Sequence, residues 1–522
     1  MVDYKKHTGS YYTPDYLAGF ISKRVLSHFD GRQSISVLEP SVGDGSFIEE
    51  LNKSSIAINI TAIDINELEL KNAKAKWNGS KSTFINCDFL KYTTEERFSV
   101  VIGNPPYFKK SLMNEVQIEI AKGIHEKEGL SEVSVKNIWT TFLIKSNTLL
   151  SSSGVLAFVL PSELLQVKFA EEIREYLKNQ FQRIEIFTFN DLMFECKGQD
   201  TIVLFAYKEH TQKGEYFTNI VGKEVLINES FKLKNNNLLV ESKVKWTHHF
   251  LSNDEITFLN KLKESLLKVN NYSESKPGIV TAANKFFIID KQLEKEYNLS
   301  SYTVPIVQKG LYVNGSVIFN KDDFQLLESK YPSRLLQLNN NDKISTDLKK
   351  YLEIGIEQEI PERYKCKKRT NWYVIPNIAD TPDAFFFKRS HHYPKLLINN
   401  TNALVTDSAY KVNVREGFDL NSFIFSFYNS LTLAFSEIDG RYYGGGVLEL
   451  TPNEFKNLPM PYMRISNQEF NEFVFQFEGK SNISELLIYY DKIILGENLN
   501  LSTQEIELIQ GIRQKLVEKR MR

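Results

Sequence analysis

The sequence predicts an α/β protein: a Rossmann-like doubly wound sheet, followed by a second domain of mixed α+β character. Three observations carry this. Short apolar runs recur through residues 35–207, bounded by Gly, Pro, Asn or Asp, as strands are. Segments with apolar residues at helical spacing stand between several of them, the order of a sheet wound on both faces. Successive runs end on an acid or an amide, at the strand ends where open α/β sheets bind their ligands. The chain has 522 residues, too many for one ordinary domain. The pattern dissolves into Lys-, Asn- and Gly-rich sequence between Tyr207 and Trp246, so two domains are expected, 1–240 and 241–522.

The elements follow in order. Thr13 and Pro14 precede Leu17, Phe20, Ile21, Val25 and Leu26, the signature of a helix with Thr13 as N-cap and Pro14 as its first residue. Residues 35–39 read as a strand that enters the turn PSVGDGS and then a short helix. Glycines such as Gly43 let backbone approach a ligand closely. The GxGxxG cradle and the P-loop lysine are absent, which favours a ligand without phosphates. Glu39 at the strand end repels phosphate but can hold a cationic amine. The next strand ends on Asp64, 19 residues after Gly45, near the roughly 20-residue spacing of a carboxylate that takes ribose hydroxyls. In FINCDF at residues 84–89, Asp88 can accept from an exocyclic amine and Phe89 can pack on a purine. Any one of these acids is also compatible with a solvated loop; three at successive strand ends argue against coincidence.

The fourth strand ends in VVIGNPPYF at residues 100–108. Asn104 offers an amide oxygen. Pro105 offers a carbonyl held extended by Pro106. Two acceptors on a stiff turn can grip one NH₂ group, and Tyr107 adds a flat face for a base. A helix over about 138–150, a strand over 154–161 and strands over 184–187 and 201–207 follow, with Phe194 in the polar loop between the last two.

Composition limits the partners. The net charge is −1 and the pI about 6.8, so nucleic acid binding needs a local basic patch. The three cysteines form no metal-binding spacing, which fits a reducing cytoplasm and no metal. The most apolar later run, residues 423–435, is too short to span a bilayer, and the start has no apolar signal core. In the second half, Arg363, Tyr364, Lys365, Lys367, Lys368, Arg369, Trp372 and Tyr373, then Lys388, Arg389, His391, His392, Tyr393 and Lys395, interleave cations with aromatics. That mixture suits phosphate and base contacts. From about Gln468 the chain reads as helical, for packing or a final clamp on DNA.

The order YYTP, LEPSVGDGSF, AIDIN, CDFL, GNPPYF and FVLPSELL resembles the gamma group of S-adenosylmethionine-dependent DNA adenine-N6 methyltransferases, its TaqI-like branch in particular, over residues 8–207. The resemblance implies that Thr13 and Glu39 contact the methionine part of the cofactor, in a site shared with Ser41 and Gly43 of the turn. It implies that Asp64 holds the ribose and Asp88 the adenine amine, with Ile65 and Phe89 on the ring. Asn104 and Pro105 would bind the target amino group, and Tyr107 and Phe194 would sandwich the flipped base. Residues 278–287, 391–395 and 441–450 look more loosely like a target-recognition domain, which adds Tyr442 to Lys368, Arg369, Lys388, Arg389 and His391 as DNA contacts. The turn SVGDGSF is more glycine-rich than in some members. The implied partner is double-stranded DNA, bound by a monomer in the cytoplasm of a bacterial or archaeal cell, with no metal and no membrane. No nuclease-like segment stands before the first motif, so a separate modification enzyme is expected. NPPY also occurs in protein-glutamine methyltransferases, which leaves RNA or protein-glutamine methylation as the second reading.

Overall fold

Alternation along the strands builds the first sheet. In β4 (Phe98–Gly103), Val100 and Ile102 face one apolar cluster and Val101 faces the other, because successive side chains of a strand point to opposite faces. β5 (Leu150–Pro161) repeats the alternation, with Val155, Ala157 and Val159 on one side and Leu156, Phe158 and Leu160 on the other. A sheet buried on both faces needs helices on both. On one face pack α1 (Asp15–Ser27), α2 (Ser46–Leu51) and α3 (Glu67–Lys76); on the other pack α4 (Glu115–Lys127), α5 (Ile138–Leu149) and α6 (Glu171–Gln180).

The structure is a computed structural model that describes residues 13–79, 81–189, 200–235, 245–313, 315–376, 378, 381–443 and 445–521. It falls into two compact units, one built from residues up to 256, the other chiefly from 257–442 and 446–521. The first holds the nine-stranded sheet. With β1 (Ser34–Glu39), β2 (Ala57–Asp64), β3 (Lys81–Asn86), β6 (Arg183–Phe189), β7 (Thr201–Tyr207), β8 (Gly214–Ile220) and β9 (Lys234–Asn235), its order is β3-β2-β1-β4-β5-β7-β6-β8-β9. β1 pairs in parallel with both β2 and β4. The strand order therefore reverses between β1 and β4, and the crevice outside their carboxyl ends is the topological switch point.

The doubly wound reading holds, with one difference. β7 lies between β5 and β6 and runs antiparallel to both. Only residues 190–200 join β6 to β7, fewer than the dozen or so that a parallel crossover needs. A second difference is at α1. Its N-cap is Pro14, with no side-chain cap, and the Thr13 hydroxyl is used elsewhere.

The second unit has the expected mixed α+β character. A five-stranded sheet places Ala409–Val414 beside Ser273–Pro277 and Ala384–Phe387 beside Lys395–Asn399. A smaller sheet pairs Arg334–Leu336 with Thr303–Val307. Helices Ser430–Asp439 and Thr503–Met521 pack together. The Arg520 guanidinium donates to both carboxylate oxygens of the buried Glu437 at 2.7 and 2.8 Å, so part of the basic C-terminus is spent on packing. Among the described residues no helix is long and apolar enough to cross a membrane, and no three His, Cys, Asp or Glu cluster as metal ligands do.

Candidate active site

Four strand ends contribute. β1 delivers Glu39, only 1% exposed, with one carboxylate oxygen, Oε2, buried and without a hydrogen-bond partner. Burial, and then the charges of Asp44 and Asp64, push its pKa well above the usual carboxylate range. An unpaired buried carboxylate is costly, so this oxygen calls for a cationic or N–H-bearing group.

The turn after Glu39 is fixed by two glycines in the left-handed region, Gly43 at φ 51° and Gly45 at φ 81°. A Cβ on Gly45 would also lie 3.0 Å from the Ala73 backbone. The Gly43 amide donates to Asp64 Oδ2, and the Asn66 amide donates to Asp64 Oδ1, both at 2.8 Å. Burial raises the Asp64 pKa while these amides oppose it. Asp64 thus sits at the end of β2, beside the turn that ends β1. The Asn86 amide nitrogen donates to the carbonyls of Asp64 and Ile65 at 3.0 and 3.1 Å, which leaves the Ile65 side chain 70% exposed.

Asp88 follows β3. Its Oδ1 accepts from the Leu90 amide and its Oδ2 from Gln117 Nε2, both at 2.9 Å. Gln117 also completes a capping box with Asn114 at the start of α4, and nothing in the sequence marks it for a second use at Asp88. Sequence reasoning also missed Lys145. Its ammonium donates to the carbonyls of Phe89, Leu90 and Tyr92 at 2.6, 2.8 and 2.6 Å. Burial lowers its pKa to about 8, opposed by Asp88 and Cys87. A single lysine inside the apolar helix IWTTFLIKSNTL was the available signal.

The expectation for Phe89 needs correction. The ring is 2% exposed, its centroid 4.9 Å from that of Phe142, so it belongs to the core between β3 and α5 rather than offering a face to a ligand. The residue after a capping acid in a tight turn points inward here, where α5 supplies apolar surface.

β4 delivers Asn104. Its Nδ2 donates to Thr13 Oγ1 at 3.3 Å, its carbonyl accepts from Ser41 Oγ at 3.2 Å, and its Oδ1 accepts from the Tyr107 hydroxyl at 2.5 Å. Thr13, Ser41 and Asn104, far apart in sequence, therefore meet. Pro105 is buried and Pro106 half-buried. Tyr107 lies largely buried. The sequence offers its ring as a flat face for a base; the residue is only 7% exposed, and its hydroxyl also lies 2.8 Å from the Val159 carbonyl. Stacking on a base from this conformation requires the side chain to rotate. The next residue ties the turn down, since the Phe108 carbonyl accepts from the Ile138 amide at 3.0 Å. Phe194 lies outside the described residues.

In the second unit, Lys368 is exposed, with Nζ 2.7 Å from the Tyr364 hydroxyl. Lys388 is half-buried; Arg389 and His391 are exposed. Arg389 pairs with Glu449 at 2.5 Å. Two expectations shift here. The Arg369 guanidinium donates inward to the carbonyls of Thr281 and Trp372 at 2.8 and 3.1 Å. The Tyr442 hydroxyl donates to the Glu437 carbonyl at 2.8 Å. Both polar ends are committed to the fold, which cation-aromatic interleaving alone does not distinguish from a surface that contacts DNA.

Two family models match in succession: "Eco57I restriction-modification methylase" over residues 20–194 and "Type II methyltransferase M.Eco57I, C-terminal domain" over residues 243–495. The Type II methyltransferase M.AccI of Acinetobacter calcoaceticus is 24% identical over 528 residues, covering 94% of each chain. M.HincII of Haemophilus influenzae is 24% identical over 276 residues, 51% of this chain and 49% of its own. Among solved structures, the Type IIL restriction-modification enzyme MmeI in complex with DNA matches at a TM-score of 0.58 and 12% identity, covering 96% of this chain and 75% of that one. A nuclease-deletion mutant of the Type ISP enzyme LlaGI, in complex with a DNA substrate mimic, matches at 0.51 and 12% identity over 90% of this chain and 54% of that one.

Proposed function

Because this chain is a DNA methyltransferase of the restriction-modification type, gamma-like in its motif order and dependent on S-adenosylmethionine, we propose that it methylates N6 of an adenine flipped out of duplex DNA. The observation that carries this reading is the meeting of Thr13, Ser41 and Asn104 at the β1–β4 switch point, where β1 ends on Glu39 with its unpartnered carboxylate oxygen. Glu39 fits the ammonium of the cofactor's methionine part. Asp64 fits the ribose hydroxyls and Asp88 the adenine amine. When bound, the cofactor supplies a methyl group on a sulfonium.

The target N6 is tied up in pairing inside a duplex, so the base must leave the stack to react. Asn104 Oδ1 and the Pro105 carbonyl accept from its two N–H groups, which orients the nitrogen lone pair toward the methyl. These acceptors gain strength as positive charge grows on N6, and alignment lowers the barrier further. N6 would gain the methyl as the methyl's bond to sulfur breaks, leaving the cofactor as a neutral thioether, and would release one proton to solvent; no enzyme nucleophile takes part. Tyr107, after leaving Asn104, and Phe194 stack on the flipped base.

In this reading residues 1–240 form the catalytic domain and 241–522 the target-recognition domain, in a monomer that acts in the cytoplasm on double-stranded DNA. The test is transfer of labelled methyl to duplex DNA, followed by nucleoside mass spectrometry. N6-methyladenine is the expected product. Label in cytosine, in RNA or in protein glutamine, with none in adenine, overturns the reading.

A further inference from the structure

Lys145 has no part in the chemistry above, yet its surroundings are unusual. An ammonium has three protons to donate, and all three point at main-chain carbonyls of one turn, those of Phe89, Leu90 and Tyr92. Burying a cation away from water is costly unless it is well paired. A leucine would fill the same space in this apolar helix without that cost. The ammonium does something a leucine cannot: it draws three carbonyls of the turn together at its C-terminal end.

The other end of the turn is held by an acid. Asp88 caps it through the Leu90 amide, and Gln117 steadies the second carboxylate oxygen. Cation and acid so arranged complement the dipole of the turn. The Lys145 Nζ also lies 5.0 Å from the centre of the Phe89 ring, within cation–π range. One side chain thus holds Phe89 in the core while its neighbour Asp88 stays at the mouth of the turn.

We propose that Lys145 is the positioning residue of the adenine subsite: by gathering the carbonyls of residues 89, 90 and 92 it fixes the turn so that Asp88 meets the exocyclic amine of the cofactor. The proposal rests on the reading of Asp88 given above. Its consequence is selective. Loss of the ammonium should weaken recognition of the amine and leave the hold on ribose and methionine nearly unchanged.

The experiment compares two ligands of the full-length chain by calorimetry, S-adenosylhomocysteine and S-inosylhomocysteine, in which a carbonyl oxygen replaces the amine. The wild type should prefer the adenosine ligand by at least about tenfold, the scale of one charge-assisted hydrogen bond. Lys145→Met should cut that preference to within about threefold, with the inosine ligand bound nearly as in the wild type. If Lys145→Met does not fold, Lys145→Gln, which keeps two N–H donors, is read in its place, and a loss of at least about threefold in preference is expected. Equal weakening of both ligands means a structural role only and overturns the proposal, as does an unchanged preference. Asp88→Ala separates the two readings. If it retains the wild-type preference, the Asp88 reading falls and the Lys145 role with it. If it loses the preference while the Lys145 variant keeps it, the Lys145 role alone falls.

Discussion

At the scale of single residues, the site is an arrangement of acceptors, and each acceptor has a different test. In the proposed mechanism, Asn104→Ala removes an oxygen whose contact with N6 strengthens in the transition state. Methyl transfer should fall by about 100- to 1,000-fold, with kcat and kcat/KM reduced alike, while calorimetry gives a cofactor affinity within about threefold of wild type. Turnover near normal would remove Asn104 from the mechanism. Glu39→Gln separates function from stability. Because burial raises the Glu39 pKa, the folded chain binds this proton more tightly than the unfolded chain does. Folding therefore loses stability from this group as pH rises above the ordinary carboxylate range. At pH 7 the glutamine variant should unfold at a higher denaturant concentration when ligand-free, by about 1–3 kcal/mol, yet bind S-adenosylmethionine more weakly. A variant both less stable and unimpaired in binding would mean that Glu39 is paired in the resting protein. The sequence made these acceptors legible because each ends an apolar run. It did not reveal the inward turn of Phe89 or Tyr107. An aromatic residue beside a site has the same identity whether it faces ligand or core, and the choice depends on what α5 and Val159 offer from far along the chain.

At the scale of elements, the parallel half of the sheet was readable from the strand–helix alternation, and the switch point with it. The position of β7 was not, because a run such as TIVLFAY is equally apolar on either side of its neighbours and carries no direction. Helix α4 shows how an element can conceal a titrating group. His125 is fully buried, with Nδ1 2.6 Å from Ser134 Oγ and Nε2 3.0 Å from Thr141 Oγ1. Burial, helped by the charge of Lys110, lowers its pKa to about 4. Between about pH 6.5 and 4 the unfolded chain takes up a proton that the folded histidine refuses. The contribution is complete above pH 6.5 and disappears as pH falls toward 4. Urea unfolding at pH 7.5 and 5 should therefore show the wild type losing roughly 2 kcal/mol more than His125→Gln over that interval. The variant starts lower at pH 7.5 because its hydroxyl partners are disturbed. Parallel pH dependence in the two proteins would place the acid sensitivity elsewhere.

At the scale of the whole molecule, a net charge of −1 gives DNA no general attraction, so affinity must come from local cations. Cations that look equivalent in sequence differ here in what they are free to do. Lys365 and Lys368 are exposed on the second unit, whereas Arg369, one residue on, spends its guanidinium on the carbonyls of Thr281 and Trp372. A surface lysine that contacts phosphate releases counterions, and each such contact adds about 0.9 to the salt slope of binding to duplex DNA. An arginine bonded inward adds nothing to that slope but supports the fold. Lys365→Glu combined with Lys368→Glu should therefore flatten the plot of log affinity against log salt by about 1.8, for specific and unrelated duplexes alike, because phosphate contacts carry no sequence information. Arg369→Ala should leave the slope unchanged and instead lower the unfolding midpoint, by about 1–3 kcal/mol for the two carbonyls left without donors. Fluorescence anisotropy over a range of salt concentrations, with denaturant unfolding on the same variants, distinguishes the two classes. A slope flattened by Arg369→Ala and untouched by the double lysine variant would reverse the assignment: the arginine would leave its carbonyls to meet DNA, and the exposed lysines would lie away from the phosphate path.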